Sequence, residues 1–307
     1  MDISVVIPCF NESSGVRQFW DRLARVMDDI TLSWEAVFVN DGSADSTLAK
    51  LKEIRESHGN CRIIDLSRNF GKEAAITAGL DYSTGSAVIV IDADLQHPPE
   101  VIGEMVALWK KGAEVVMGRR KQRTTDSLMR RWFSKKFYTF AQRLFVVSLP
   151  RDVGDFRLMD RIVVEKIGEL KETERFMKGL FAWIGFRQVI VDFEVEPRSA
   201  GTSNFSSWKL WNLALQGITS FSTAPLRIWF YIGLIISTGS ILYAIFVLIH
   251  SLLYGTNVPG YPSIIILVGL IGGLQLIGIG ILGEYLGRTY MESKGRPIYV
   301  VRDEFEN

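Results

Sequence analysis

Along the first 120 residues, short β-branched runs alternate with stretches whose apolar positions recur every three or four residues. Ile3–Ile7 precedes an amphipathic stretch at Gly15–Asp29, Glu35–Val39 precedes Ser46–Ser57, and Arg62–Leu66 precedes Lys72–Tyr82. The alternation continues with Ala87–Ile91, a helical stretch after Pro99, and Glu114–Met117. This order predicts βαβ units, hence an α/β fold with a mostly parallel sheet and helices on both faces. Ligands of such sheets sit outside the carboxyl ends of the strands. The loops of interest are therefore Pro8–Glu12, Asn40–Ser43, Arg68–Lys72, Asp92–Gln96 and Gly118–Lys121.

The pattern changes after Arg227. From Ile228 to Gly283 no Asp, Glu, Lys or Arg occurs. Two apolar runs fill this region, about 228–254 and about 262–284, separated by the Gly/Pro-rich turn Gly255–Tyr261. Each is long enough to cross a hydrocarbon core, and neither has a polar face. A C-terminal two-helix transmembrane hairpin is expected over 227–287. Arg227 precedes it, Arg288, Lys294 and Arg296 follow it, and the turn is uncharged, so the positive-inside rule places both termini in the cytoplasm of a multi-pass inner (cell) membrane protein. Before the hairpin, 201–226 is expected to hold a juxtamembrane interfacial helix, with Trp208, Trp211 and Leu215 at helical spacing. Residues 288–307 are expected to form a cytoplasmic tail.

Composition narrows the picture. The 307 residues are 48% hydrophobic and 22% charged, with net charge +1, which excludes disorder, collagen-like repeats and a nucleic-acid binder driven by bulk basicity. Cys9 and Cys61 alone imply no disulfide framework. Met1-Asp2-Ile3 leads straight into a strand-like run, so no cleaved leader is expected there. No G-x-G-x-x-G follows the first strand, and Gly71-Lys72 lacks the upstream glycine of a P-loop.

The chemistry gathers at strand ends. Ala87–Ile91 runs into Asp92-Ala93-Asp94-Leu95-Gln96, where carboxylates at i and i+2, with the Gln96 carbonyl, can converge on a hard divalent cation. The alternative is a solvated loop with an Asx-turn; the strand-end position favours metal. His97, beside Pro98-Pro99, reads more readily as a loop residue than as a fourth ligand. Asn40-Asp41-Gly42-Ser43 offers an acceptor for a nucleobase or ribose, or an ordinary Asp-Gly turn. Pro8-Cys9-Phe10-Asn11-Glu12 offers a bend, an aromatic ring and a carboxylate, or a helix entry capped by Asn11.

Taken together, Pro8…Asn11-Glu12, Asn40-Asp41-Gly42-Ser43, Arg68-Asn69-Phe70-Gly71-Lys72-Glu73, Asp92-Ala93-Asp94-Leu95-Gln96, Gly154-Asp155-Phe156-Arg157-Leu158-Met159 and the C-terminal hairpin resemble glycosyltransferase family 2 along the whole chain. Within it they are most similar to the polyprenyl-phosphate enzymes of the bactoprenol (undecaprenyl-phosphate) glucosyltransferase type, relatives of dolichyl-phosphate mannose synthase. The resemblance implies a GT-A (Rossmann-like) catalytic domain in the cytoplasm over 1–200. It implies Pro8, Glu12, Asp41, Asp92 and Lys72 as nucleotide-binding residues, and Asp92, Asp94 and Gln96 as ligands of Mg²⁺ or Mn²⁺. Asp155, Asp94 and Arg198 become the catalytic set, and Arg119, Arg131 and Ser134 the acceptor-phosphate contacts. The family's Arg-x-x-Gly-x-Ser-Lys appears as Arg198…Gly201-Thr202-Ser203-Asn204, with Asn204 in place of Lys.

The implied reaction is transfer of a hexose, glucose from UDP-glucose, to undecaprenyl phosphate, with mannose, galactose and aminoarabinose as alternative sugars. A nucleotide sugar leaves as a diphosphate, whose developing charge must be neutralised. A lipid monophosphate has a second pKa of about 6 and is already ionised near neutral pH, so Asp155 is expected to orient rather than deprotonate. Single displacement with inversion is expected. The basic run Arg119-Arg120-Lys121…Arg123, Arg130-Arg131 and Lys135-Lys136 suits anionic lipid. Glycines at 269, 272, 273, 278, 280 and 283 suggest a homo-oligomer through the membrane. A processive polysaccharide synthase fits less well, since Leu128 stands where Gln-x-x-Arg-Trp needs glutamine. A lipid-binding accessory protein leaves Asp92 and Asp94 without a role.

Overall fold

The computed structural model describes residues 1–30, 32–121, 153–170, 172–173, 175, 177–194, 224–254 and 260–306. The chain divides into two compact units, 1–214 with 296–307, and 215–295.

The first unit is built on a sheet of eight strands in the order β7-β5-β6-β4-β1-β2-β3-β8. These are β1 (Ile3–Cys9), β2 (Trp34–Asn40), β3 (Cys61–Leu66), β4 (Ala87–Val90), β5 (Val115–Arg120), β6 (Val153–Asp160), β7 (Gln188–Phe193) and β8 (Val301–Phe305). β1 pairs in parallel with β2 and β4, β2 with β3, and β5 with β7. Only β6 and β8 run antiparallel to their neighbours. The expected alternation of strands and helices is present, with β1 to β5 within a few residues of their expected ranges; β6, β7 and β8 were not expected. β2 is buried at every position and β1 at nearly every one, as strands covered on both faces must be.

Helices α1 (Val16–Asp28), α2 (Thr47–Ser57), α3 (Lys72–Tyr82), α4 (Ile102–Lys110), α5 (Arg161–Glu169) and α6 (Met177–Trp183) complete this unit. α1 buries Val16, Phe19, Trp20, Leu23 and Met27, a stripe at helical spacing. Trp20 packs among Trp34, Phe38 and His58. α3 packs tightly on the sheet: a Cβ on Gly79 would meet Val6 Cγ1 at 2.2 Å, so glycine permits the approach. The chain turns back at β1 and β4, which lie side by side although their order in sequence diverges. That switch point opens the crevice where doubly wound sheets bind ligands.

The second unit holds α7 (Ala224–Tyr254) and α8 (Tyr261–Ser293). Large apolar side chains such as Phe230, Leu252, Leu276 and Ile279 are exposed along both helices. In α8, Leu270–Ser293 is long and apolar enough to cross a membrane by length and composition. α8 outlasts the sequence-predicted span end near residue 284. Gly283–Ser293 contains no proline, and Arg288 Nη2 pairs with Glu284 Oε1 one turn away at 2.9 Å. Gly278 faces Trp229 of α7, whose indole would meet any Cβ placed there. Part of the glycine spacing therefore serves packing within the chain.

Candidate functional site

The loops after β1 and β2 are laced together. Asn11 N–H donates to Ser43 Oγ (3.0 Å), and Asn11 Oδ1 accepts from Ala44 N–H (2.9 Å). Glu12 N–H donates to Thr47 Oγ1 (2.9 Å), and Ser13 N–H to Asp45 Oδ2 (3.2 Å). Asn11 takes φ 55°, a left-handed conformation that asparagine tolerates better than most residues. Pro8 and Glu12 thus stand at a braced strand end, beside an exposed Phe10.

Asp41 is buried, and both its oxygens accept backbone donors: Phe70 N–H at 2.7 Å and Gly71 N–H at 2.9 Å. Burial pushes its carboxyl up against the lowering effect of those two bonds. Asp41 therefore anchors the loop Ser67–Gly71 across the end of β2. Gly42, at φ 61°, lies so close that a Cβ would meet Arg68 C at 2.4 Å. Arg68 caps the loop, its guanidinium carbon 3.9 Å from the Phe70 ring centroid.

Asp92 and Asp155 meet because of strand register. Val90 of β4 is paired with Arg157 of the antiparallel β6, so Asp92, two residues beyond Val90, lies opposite Asp155, two residues before Arg157. Lys72, first residue of α3, sits between them with Nζ 2.7 Å from Asp92 Oδ1 and 2.7 Å from Asp155 Oδ2. Burial disfavours the Lys72 ammonium, but the two carboxylates outweigh it and hold the group protonated. Burial likewise opposes the Asp155 charge, and Lys72 overrides it, drawing the carboxyl down to about 2. Among the described residues the neighbouring Glu73 makes no ion pair, and Lys72 and Lys178 lower its pKa only weakly. Burial and then the Asp155 charge push it up to about 7, while one oxygen accepts from Met177 N–H (3.1 Å).

Beyond Asp92 the chain turns through Leu95 at φ 59°. Gln96 N–H donates to Asp94 Oδ1 (3.0 Å), which is the Asx-turn weighed as an alternative to metal. The turn does not displace the metal arrangement: ligand atoms of Asp92, Asp94 and His97 lie within 4.8 Å of one another. Two carboxylates in one loop are a donor set suited to Mg²⁺ or Mn²⁺.

His97 lies in the loop, as expected. Its burial was not foreseen: it stacks on Phe156 and sits against the edge of Phe193. Arg120 Nη2 lies 3.2 Å from His97 Nε2. A guanidinium only donates, so Nε2 accepts and the ring proton is assigned to Nδ1, which faces Asp92 Oδ2 at 3.6 Å. Burial lowers the His97 pKa, and buried Nδ1 makes no hydrogen bond among the described residues. Arg157 is also buried: its guanidinium carbon lies 3.6 Å from the Phe181 ring centroid, and Nη2 donates to Gly154 O at 2.6 Å, fixing the start of β6.

Lys72, Asp92 and Asp155 form one ion-paired cluster with Asp94 close to Asp92, while Gln96 is brought to it only through its backbone N–H on Asp94; Pro8, Glu12 and Asp41 stand on the neighbouring strand ends. Arg119 stands apart, making a bidentate pair with Asp192 of β7 at 2.6 and 2.9 Å. Arg131, Ser134 and Arg198 lie outside the described residues. The sequence assigned no role to Glu73 or Arg157, weighed His97 only as a less favoured metal ligand, and placed Arg120 in a basic run suited to anionic lipid, whereas its guanidinium lies against His97. Glu73 and Arg157 lay inside quoted motifs, but only burial shows that they work there.

Comparison with known proteins adds an independent line. Residues 4–168 match the family model described as glycosyl transferase family 2. An uncharacterized glycosyltransferase of Synechocystis is 46% identical over 99% of this chain and 95% of its own. The bactoprenol glucosyl transferase of Shigella phage SfV is 45% identical over 99% of each chain. A prophage bactoprenol glucosyl transferase homolog of Escherichia coli K12 is 43% identical over 98% of this chain and 99% of its own.

Proposed function

The chain belongs to glycosyltransferase family 2 and has the family's GT-A fold, and on that premise we propose that it moves glucose from UDP-glucose to undecaprenyl phosphate at the cytoplasmic face of the membrane. The observation that carries this reading is the likeness to bactoprenol glucosyl transferases along both chains, long helices included. The joined cluster of Lys72, Asp92 and Asp155 at the switch point supplies chemistry that fits it.

Asp92, Asp94 and Gln96 would hold Mg²⁺ or Mn²⁺, which when bound neutralises the diphosphate leaving group. Pro8, Glu12 and Asp41 frame the nucleotide, with Lys72 adding a fixed positive charge beside it. An acceptor phosphate oxygen attacks the anomeric carbon as the bond from that carbon to the diphosphate oxygen breaks, and the electron pair leaves with the diphosphate. One displacement inverts the anomeric centre. With the phosphate ionised and Asp155 held at about 2, Asp155 orients the acceptor side and takes no proton. Arg119, Arg131, Ser134 and Arg198 are assigned to the acceptor phosphate and the leaving group from the family likeness.

A two-span hairpin with both ends on one side of the membrane fits the chain order, and the flanking Arg227, Arg288, Lys294 and Arg296 favour the cytoplasm as that side. The polypeptide departs from the first unit, contributes α7 and α8, and its last strand β8 belongs to the sheet of the first unit again. A chain that returns to its starting side crosses a membrane an even number of times. Self-association through the remaining glycines of α8 completes the proposal.

The test offers labelled UDP-glucose, UDP-galactose and GDP-mannose with undecaprenyl phosphate and either cation, and counts label in the organic phase. Glucose transfer with a β-linked product is expected. Label from another donor alone overturns the sugar, an α-linked product overturns inversion, and no organic label from any donor overturns the acceptor.

A further inference from the structure

The loop Ser67–Gly71 is gripped from two sides. Asp41 takes its last two backbone N–H groups. Its first residue is taken by the far end of the chain: Ser67 N–H donates to Val300 O (2.9 Å), and Ser67 O accepts from Arg302 Nη2 (2.6 Å). Arg302 Nη1 also lies 3.9 Å from Asp65 Oδ2. The pairing of β3 with β8 shifts register between Asp65 and Leu66, bringing Val301 opposite Leu66 and carrying the contact past the end of β3. Just before β8, Tyr299 Oη donates to Asp81 Oδ2 (2.8 Å) of α3, the helix that begins with Lys72.

β8 contributes little to the core, since its three central residues are exposed. Its contacts fall instead on the site loop and on the helix that carries Lys72. Arg68 and Asn69, at the loop tip, are themselves exposed and have no core to hold them. A loop ordered before its ligand arrives spares binding the ordering cost.

We infer that the C-terminal strand positions the nucleotide loop, with Arg302 and Tyr299 as positioning residues that set Ser67–Gly71, and through it Asp41 and Lys72, for the nucleotide. The inference rests on the nucleotide reading of the preceding section.

The test uses the full-length protein in detergent, with UDP and Mn²⁺ as the titrated probe alongside steady-state kinetics. Arg302→Ala is expected to raise the UDP Kd and the donor KM about tenfold, as losing a charged hydrogen bond does. The acceptor KM, the kcat at saturation and the melting temperature are expected to stay near wild type. Arg302→Lys should recover part of the affinity. Tyr299→Phe, which deletes one hydroxyl, is expected to shift the UDP Kd in the same direction and serves if Arg302→Ala does not fold. Unchanged UDP affinity in a folded variant, or donor and acceptor KM rising together with a fall in melting temperature, overturns the inference. Wild-type protein that binds no UDP overturns the donor reading and this inference with it. Equal binding by wild type and variant overturns this inference alone.

Discussion

Lys72 Nζ lies 2.7 Å from Asp155 Oδ2 and equally close to Asp92, so one ammonium joins two carboxylates that would otherwise repel. Lys72→Met removes the cation and leaves two partly desolvated acids facing each other. Turnover is expected to fall about 10²-fold or more, in line with loss of an electrostatic group at a reacting centre. Lys72→Arg should retain a fraction of it. Steady-state rates, with circular dichroism to show the fold intact, check this; wild-type turnover in Lys72→Met would refute it.

Asp94→Ala removes the acceptor of the Asx-turn and, on the proposed reading, one ligand of the divalent cation. Transfer is expected to fall by about 10²-fold or more, and Mn²⁺ should no longer tighten UDP binding. Calorimetric titration of UDP with and without Mn²⁺ reads the second effect directly.

Glu73 makes stability depend on pH. Its carboxyl is pushed up to about 7, against 4.5 for an ordinary glutamate, by burial and the Asp155 charge. Between those values the folded protein holds a proton that the unfolded chain has released, so stability falls as pH rises through the window. Glu73→Gln keeps an acceptor for Met177 N–H and removes the titration. The variant is expected to gain on the order of 2 kcal/mol over wild type between pH 5 and pH 8. Asp155, drawn down to about 2, acts in the opposite sense and only below about pH 4. Melting temperatures of the detergent-solubilised protein across pH 5–8 test the slope, and parallel curves for the two proteins would sink the assignment.

Gly42→Ala combines a φ of 61° with a Cβ 2.4 Å from the Arg68 carbonyl carbon. Backbone cannot yield as a flexible side chain does, so the loop must move away from Asp41. A loss of about 2 kcal/mol or more is expected, together with weaker UDP binding. An unshifted melting temperature would show that the loop tolerates the displacement.

For the long helices, the expectation is that the full chain stays in the membrane pellet through alkaline carbonate washing and is released by mild detergent. Release by carbonate alone would place α7 and α8 outside the bilayer.

Much of this was legible in the sequence because it is local. Runs of four or five residues rich in β-branched side chains, alternating with amphipathic stretches, mark strands and helices by period alone, and Asp92 and Asp94 announce themselves at the end of an apolar run. The uncharged stretch from Ile228 to Gly283 needs no partner to declare itself apolar. Glu73 and His97 were not legible, since their behaviour comes from burial among groups distant in sequence: Asp155 and Met177 for the first, Phe156, Phe193 and Arg120 for the second.

The sequence by itself determined that this chain pairs an α/β unit bearing acids at its strand ends with an uncharged apolar region, because periodicity and charge are properties of neighbouring residues. Only the tertiary structure decided that β6 enters the sheet antiparallel, so that Asp155 meets Asp92 across Lys72, and that β8 closes the edge beside Ser67. Those pairings depend on strand order and register, which arise from hydrogen bonds between segments far apart in the chain and leave no mark on the local pattern.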